Sequence, residues 1–158
     1  MTKTRGFEHI SQKQWENDGG DSDVQLINLP ERGTSSAAGY DVVSPISFTL
    51  EAGDEIKIPT GFKAYMLSDE CIFFYPRSGL GFKFYVRLAN TVGVGDSDYY
   101  NNSGNEGHYW VKMRNEGFKT MSVEAGDRVA QAIFQKYLTI DGDVAEGRRV
   151  GGLGSTGN

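Results

Sequence analysis

Glycine and proline interrupt this sequence so often that long helices have almost no room to form. The chain has 21 Gly and 4 Pro among 158 residues, and the longest stretch without either is Asp127 to Asp141. Elsewhere apolar residues recur at every second position, as at Ile56 and Ile58, which is the period of a half-buried strand. Cys71–Tyr75 is apolar on both faces and indicates a central strand, while Ser78–Phe84 can hold at most one or two helical turns. Many short strands predict an all-β sandwich or jelly roll.

Three parts of the chain differ in composition. Residues 1–23 are mostly polar and end in an acidic stretch, so we expect a mobile segment before a first core strand at Val24 and Leu26. Residues 24–145 carry the alternating patterns and form the predicted core. Residues 146–158 are rich in glycine and lack an apolar pattern, which predicts a loose arm unless a ligand or partner orders it.

Charge and composition exclude several classes of function. The formal charge of −5 is the opposite of what binding to phosphate backbones requires, so we expect no nucleic-acid partner. No stretch approaches the ~18 apolar residues of a membrane span, which favours a cytoplasmic protein without membrane contact. One cysteine and two histidines cannot supply a structural zinc cluster. We expect Cys71 to be a buried strand residue and His9 and His108 to be surface imidazoles.

Two segments have the composition of a phosphate site, and each also has an ordinary structural explanation. Arg148 and Arg149 stand in the glycine-rich tail, which is either a flexible linker or a lid whose backbone amides approach an anion. Arg77 and Ser78 follow the apolar strand. Ser78 is placed like a helix N-cap, so first-turn N–H groups and Arg77 could converge on one anion. An ordinary strand-to-helix turn would have the same sequence.

A third segment, Asn90–Tyr99, places the carboxylates of Asp96 and Asp98 after a Gly-Val-Gly run. Asp, Ser and Gly are common turn residues, so a solvated hairpin turn explains this segment equally well. Gln131 points to the opposite face of its strand from its apolar neighbours and by itself indicates no function.

The order of these segments is more specific than any one of them. Five occur in sequence: GTSSAAGYDV (33–42), PRSGL (76–80), NTVGVGDSDY (90–99), GDRVAQAIF (126–134) and RRVGGLGSTG (148–157). Together they resemble the five motifs of the trimeric deoxyuridine triphosphate nucleotidohydrolases, the dUTPases. The resemblance spans residues 33 to 157.

The resemblance implies a fold and an activity. Family members are homotrimers of distorted jelly-roll subunits, and each active site is assembled from motifs of different chains. They hydrolyse dUTP to dUMP and pyrophosphate with Mg²⁺, which is chelated by the triphosphate. This agrees with the lack of ligand clusters here, because Mg²⁺ is often held through substrate phosphates and waters.

Residue roles follow from the matching motif positions. Asp96 matches the carboxylate that orients the attacking water toward the α-phosphorus, and Asp41 matches an aspartate near the metal and its waters. Asn90 matches the side chain that helps the motif-three hairpin bind the uracil edge, and Tyr99 the ring that packs on deoxyribose. The positions matching phosphate contacts are Arg77, Ser78, Gly79, Gln131 and Arg148. The remaining implied substrate-binding positions are Gly93, Val94, Gly95, Trp110, Leu153, Gly154 and Ser155.

Four features depart from the family pattern. Gly95 stands where the family usually has isoleucine, and Leu153 where the tail usually has an aromatic residue that stacks on uracil. Arg149 is an additional charge beside the matching Arg148. Residues Tyr100–Glu106 lengthen the hairpin near the expected base site.

Two alternatives remain open at the level of sequence. A dCTP deaminase or bifunctional relative resembles this chain in fold and in an Arg-Ser turn, although it requires a catalytic glutamate where this chain has GDSDY. Some phage members of the family resemble regulators that also bind bacterial repressors. The Tyr100–Glu106 insert and the acidic amino-terminal stretch motivate that second hypothesis, a regulatory protein partner.

Overall fold

The computed structural model describes residues 3–147, 149 and 151–152, and it shows a chain of short antiparallel strands. Within these residues the strands are β1 (Gly6–His9), β2 (Tyr40–Val43), β3 (Phe48–Leu50), β4 (Glu55–Pro59), β5 (Phe62–Tyr65), β6 (Glu70–Pro76), β7 (Val86–Leu88), β8 (Gly93–Asp96), β9 (Trp110–Asn115), β10 (Met121–Val123) and β11 (Arg128–Lys136). The α-helices are α1 (Gln12–Asn17) and α2 (Ser78–Phe84), and short 3-10 helices form at Val24–Leu26 and Ser97–Tyr99. Neither α-helix of this described part is long and apolar enough to cross a membrane.

The strands form four antiparallel sheets. The largest has the order β2-β11-β6-β8, and a three-stranded sheet has the order β4-β9-β7. Two smaller sheets pair β1 with β5 and β10 with β3. The all-β prediction is confirmed, and so is the central position of the Cys71–Tyr75 segment, because β6 lies between β11 and β8.

One apolar core draws on all four sheets. Ile58, Phe62, Ile72 and Met121 each come from a different sheet and are almost completely buried. Along β9 buried and exposed residues alternate, as the period-two pattern predicts. Burying each large apolar side chain contributes about 1.5–3 kcal/mol, so this shared core fixes the four sheets relative to one another.

The amino-terminal segment is more ordered than its composition indicates. β1 pairs with β5, and α1 begins after Ser11, whose hydroxyl accepts a hydrogen bond from the Gln14 amide at 3.1 Å. The Trp15 side chain is 1% exposed. A few large apolar residues therefore anchor a mostly polar segment. The expectation that the first core strand lies at Val24 and Leu26 is wrong, because these residues form a 3-10 helix.

His108 is buried, so the expectation of a surface imidazole is wrong for this residue. The side chain has no exposed area, and both ring nitrogens have partners. The Gly61 amide donates to Nε2 at 2.9 Å, and Nδ1 lies 2.6 Å from the Asp18 carboxylate. The Gly61 contact requires an unprotonated Nε2, so Nδ1 carries the proton and donates to Asp18. This pair ties α1 to the body of the protein.

Candidate active site

A cavity of about 240 Å³ opens beside β8. Seven of the residues implicated by sequence line it: Asn90, Gly93, Val94, Gly95, Asp96, Tyr99 and Trp110. Phe74 and Tyr109 also line it, together with Arg149 and Gly152 from the tail. The third and fifth motif segments therefore meet at one site within a single chain.

The cavity lies along the outer edge of a sheet. β8 pairs with β6 on one side, and no strand in the described residues adds to its other side. Edge strands present backbone N–H and C=O groups that can bind a planar polar ligand. β7 and β8 belong to different sheets, so the expected motif-three hairpin connects two sheets and its strands do not pair with each other.

Two glycines keep the inner side of β8 close to aromatic rings. A Cβ at Gly93 would lie 3.1 Å from the Phe74 Cβ, and one at Gly95 would lie 2.3 Å from the Tyr109 hydroxyl oxygen. At Gly95 the Tyr109 side chain would have to move, whereas at Gly93 a shift of Phe74 by a few tenths of an ångström would be enough. Packing therefore requires the second glycine of the Gly-Val-Gly run more strictly than the first.

Asp96 lies at the end of β8 with its side chain 55% exposed. Arg149 Nη2 lies 2.5 Å from its carboxylate, and Arg149 Nε lies 2.8 Å from the carboxylate of Asp98. The same guanidinium lies over the Tyr99 ring, 5.7 Å from its centroid. The Asp98 contact is the leading cause of the raised pKa of Arg149. In this conformation the tail places a permanent positive charge on the candidate catalytic carboxylate.

Aromatic rings form one wall of the cavity. Tyr99 is buried, its hydroxyl donates to the His108 carbonyl at 2.9 Å, and Asn105 Nδ2 donates to the same hydroxyl at 2.7 Å. Burial raises the pKa of Tyr99, so its hydroxyl stays protonated. Trp110 is half-buried, and the Lys57 ammonium lies 4.1 Å from its ring centroid. Tyr99 is thus held rigidly from behind while its ring lines the cavity.

The predicted phosphate-binding residues form a separate cluster. Asp41 bonds to Arg77 at 3.1 Å and to Arg128 at 3.0 Å. Gln131 Nε2 donates to the Pro76 carbonyl at 3.3 Å. Ser78 begins α2 and is exposed, but Arg77 occupies the N-cap position. The expectation of an N-cap at Ser78 is therefore wrong by one residue.

The two clusters lie at opposite ends of β6. Asp96 is the register partner of Cys71, whereas Arg77 directly follows Pro76, the last residue of the strand. A strand rises about 3.3 Å per residue, which separates the two positions by roughly 20 Å. The residues around Asp96 and those around Arg77 therefore lie apart from each other within one chain.

The Tyr100–Glu106 insert packs against the amino-terminal segment of its own chain. The Tyr100 hydroxyl donates to Glu8 at 2.6 Å, and the Ser11 hydroxyl and amide both donate to Glu106, at 2.5 and 2.9 Å. Inside the loop the Asn102 side chain accepts from the Gly104 amide at 2.9 Å. The insert therefore has a structural role. Its proposed role as a surface for a regulatory partner stays a prediction.

Sequence reasoning missed three residues of these clusters. The sequence assigns no site role to Tyr109 or Arg128, and it marks Arg149 only as an additional charge beside Arg148. A role for Arg149 could have been found from its position in the 148–157 segment, which resembles the fifth family motif. No feature of the sequence pointed to a role for Tyr109. Arg148, Leu153, Gly154 and Ser155 lie outside the described residues.

The residues around Asp41 suit a metal that arrives with a ligand. Both Asp41 carboxylate oxygens are already paired with arginines, with Arg77 by an ion pair and with Arg128 by a hydrogen bond. This suits contact with a metal through water better than direct ligation. Among the described residues no group of three or more His, Cys, Asp or Glu side chains is arranged to hold a metal ion. Mg²⁺ commonly binds through one or two carboxylates, waters and substrate phosphates.

Comparison with known proteins identifies the family. The family model described as dUTPase matches residues 25–157. A deoxyuridine 5'-triphosphate nucleotidohydrolase of Lactococcus lactis is 41% identical over 157 residues, which cover 98% of this chain and 99% of that protein. The crystal structure of dUTPase from Streptococcus mutans is 42% identical, has a TM-score of 0.71, and is matched over 87% of this chain and 99% of that one.

A more distant structure shares the fold. The dUTPase of phage phi11 of S. aureus, whose structure visualises a species-specific insert, is 18% identical with a TM-score of 0.67, and the match covers 92% of this chain and 97% of that one. The predicted jelly-roll fold of the dUTPase type is thereby confirmed. Because the family model covers most of the chain and a full-length relative is 41% identical, this chain belongs to the dUTPase family.

Proposed function

We propose that this protein hydrolyses dUTP to dUMP and pyrophosphate. The observation that carries the proposal is the half-exposed carboxylate of Asp96 at a cavity formed by aromatic rings and the edge of β8. The cavity volume is below the ~300–1,000 Å³ typical of pockets for larger ligands, which suits one base and its sugar. Family membership supports the same activity.

In this mechanism Asp96 positions a water molecule for in-line attack on the α-phosphorus. A carboxylate is a weak base at neutral pH, so its main contribution is orientation of the water, and it accepts the proton as attack proceeds. In the free chain the Arg149 guanidinium donates a hydrogen bond to this carboxylate. The substrate and its water must therefore displace or redirect Arg149 before the reaction.

The base and sugar are selected by the cavity. The exposed edge of β8 and the Asn90 side chain would bind the uracil edge, and the Tyr99 ring would pack against deoxyribose. Cytosine presents its donor and acceptor in reverse, so it would leave buried groups unpaired, a mismatch that can discriminate by several orders of magnitude.

The triphosphate would be bound by Arg77, Ser78, Gly79 and Gln131. Charge-assisted contacts from Arg77 would stabilise the charge that moves onto the departing pyrophosphate. Mg²⁺ on the triphosphate, with Asp41 facing its waters, would supply further charge neutralisation.

We further propose that the active enzyme is a homotrimer whose sites are shared between chains. The separation of roughly 20 Å along β6 supports this, because a triphosphate bound at Asp96 needs a phosphate cluster from another copy. The segment after β11 also exposes Leu138, Ile140 and Val144, whose side chains are 97%, 82% and 83% exposed. Apolar side chains exposed in succession are typical of a protein–protein contact. Residues 146–158 would then close over a site as an arm.

Replacement of Asp96 by Asn tests the proposal. The variant should bind a non-hydrolysable dUTP analogue nearly as well as wild type and lose about 100-fold or more in turnover, because shape is kept while the charge that orients water is removed. Pyrophosphate release from dUTP measures turnover. Asp98→Asn is the matched control, since Asp98 also bonds to Arg149 but is not part of the cavity wall, and it should retain most activity.

Two results would contradict the proposal. Unchanged turnover of Asp96→Asn would remove the carboxylate from the mechanism. Ammonia release when wild-type protein is incubated with dCTP, without pyrophosphate release from dUTP, would assign the site to the deaminase alternative.

A further inference from the structure

The Tyr109 hydroxyl is a buried polar group without a hydrogen-bond partner in the described part of the structure. The residue is 6% exposed, and it lines the cavity beside β8. Buried hydroxyls in native proteins nearly always have a partner, because leaving one unpaired costs its full desolvation penalty. The exception here lies at the wall of a ligand cavity.

The Tyr109 side chain packs between aromatic rings and a glycine. The Tyr109 ring packs against Phe74 and Tyr99, with ring centroids 4.8 and 4.9 Å apart. Gly95 lies next to the hydroxyl, because a Cβ at that position would come within 2.3 Å of the hydroxyl oxygen. The absent side chain at position 95 therefore provides the space that the hydroxyl occupies.

The hydroxyl can act as a donor. Burial is the main cause of the strongly raised pKa of Tyr109, so the oxygen keeps its proton throughout the neutral range. Ionised groups near it, Asp96 and Arg149, belong to the same cavity. A donor in this position requires an acceptor, and the described part of the free chain does not supply one.

We infer that the Tyr109 hydroxyl is a substrate contact, which donates a hydrogen bond to an oxygen of the bound nucleoside. The inference rests on the proposed function and adds a specificity-determining residue to it. The acceptor is either a uracil carbonyl or the deoxyribose 3'-hydroxyl, both of which are oxygen acceptors. The glycine at position 95 and the tyrosine at position 109 then act as one pair, in which the first makes room for the second.

Tyr109→Phe is the direct test, because it removes only the oxygen. The KM for dUTP should rise about three- to tenfold with kcat little changed, as expected when one neutral hydrogen bond to the substrate is lost. The Tm of the free protein should stay the same or rise, since an unpaired buried hydroxyl has been removed. Tyr137→Phe is the matched control. Its hydroxyl donates to the Ser68 carbonyl at 2.8 Å, outside the residues that line the cavity, and its loss should leave KM unchanged.

Two outcomes would overturn the inference. An unchanged KM in Tyr109→Phe would show that the hydroxyl does not touch the substrate. A lowered Tm would show that the hydroxyl has a partner within the protein. Either result leaves dUTP hydrolysis by the wild type intact, whereas a wild type without that activity would refute the proposed function itself.

The acceptor can be identified with two ligands. Binding of dUMP and of 2',3'-dideoxyuridine monophosphate is measured for wild type and Tyr109→Phe by calorimetry. If wild type binds dUMP more tightly than Tyr109→Phe but binds the dideoxy ligand equally well, the Tyr109 hydroxyl contacts the 3'-hydroxyl. If the difference in affinity between the two proteins is the same for both ligands, the contact is to the uracil.

Discussion

A side chain at position 95 would have to share its space with Tyr109 and Ile72. An added Cβ would lie 2.3 Å from the Tyr109 hydroxyl oxygen and 2.6 Å from Ile72 Cγ2. The sequence identified Gly95 as a departure from the family pattern but gave no reason for it. The reason is Tyr109, which directly precedes β9 in a different sheet and which no local pattern connects with β8.

Gly95→Ala should destabilise the protein by about 1–3 kcal/mol, because an extra methyl group overpacks a filled space. In a Tyr109→Val background the same change should cost clearly less, since the ring and hydroxyl that collide with the methyl are gone. Urea unfolding of both single variants and the double variant measures this coupling as a double-mutant cycle. Gly147→Ala, where an added Cβ meets nothing within 4 Å, is the control. Equal costs in both backgrounds would contradict the pairing.

The amino-terminal segment and the 100–106 insert stabilise each other as elements. Glu8 bonds to Tyr100, Ser11 to Glu106, and Asp18 to His108. His108 in turn holds Tyr99 through its carbonyl. A segment that composition assigned to mobile chain is therefore connected to the wall of the active-site cavity.

His108 should make stability depend on pH. Burial lowers its pKa below the ordinary 6.5 despite the opposing effect of Asp18, with Lys57 and Glu106 as the other charges that face it. The unfolded chain therefore takes up this proton more readily than the folded one. The stability that the neutral, buried His108 contributes is therefore fully present above about pH 6.5 and is lost as the pH falls below that value.

The Tm of wild type should therefore decrease between pH 6.5 and about 5, before the carboxylates protonate. His108→Gln should have a lower Tm but a flatter dependence in that interval. His9→Gln is the control, because it removes the other imidazole of the chain, whose Nε2 lies 2.8 Å from the Ile27 carbonyl oxygen. An unchanged slope in His108→Gln would rule out His108 as the titrating group.

Sequence patterns predicted the strands whose own residues alternate between apolar and polar or form an apolar run. The alternation around Ile56 and the apolar run at Cys71 gave β4 and β6, and the longest stretch without glycine or proline holds β11. Patterns failed at β1 and His108, whose burial depends on partners elsewhere in the chain. Of the site, the motif order predicted the residues of the cavity, whereas Tyr109 and Arg128 required the fold.

At the scale of the whole molecule, the proposed mechanism gives each chain a base-binding half-site and a phosphate-binding half-site, whose residues lie at opposite ends of β6. Neither half contains the complete set of groups that the reaction requires. Activity then depends on association between copies, and a single chain should be inactive even when it is correctly folded.

Mixing two inactive variants tests this arrangement. Asp96→Asn and Arg77→Ala should each have little activity alone. When they are refolded together in equal amounts, about a quarter of the sites should combine an intact Asp96 with an intact Arg77, if these come from different subunits of a symmetric oligomer. Pyrophosphate release and light scattering measure the recovery and the oligomer mass. No recovery in mixed oligomers, or full wild-type activity from a monomer, would contradict shared sites.

The position of both half-sites on β6 also limits how the length of this chain can change. No loop separates Cys71 from Pro76, so inserting or deleting one residue there would reverse the facing of every later side chain in the strand. It would also displace the arginine turn relative to the catalytic carboxylate. Insertions and deletions that preserve activity should therefore be confined to connections such as 100–106, and β6 fixes the spacing between two half-sites that serve different active sites of the proposed oligomer.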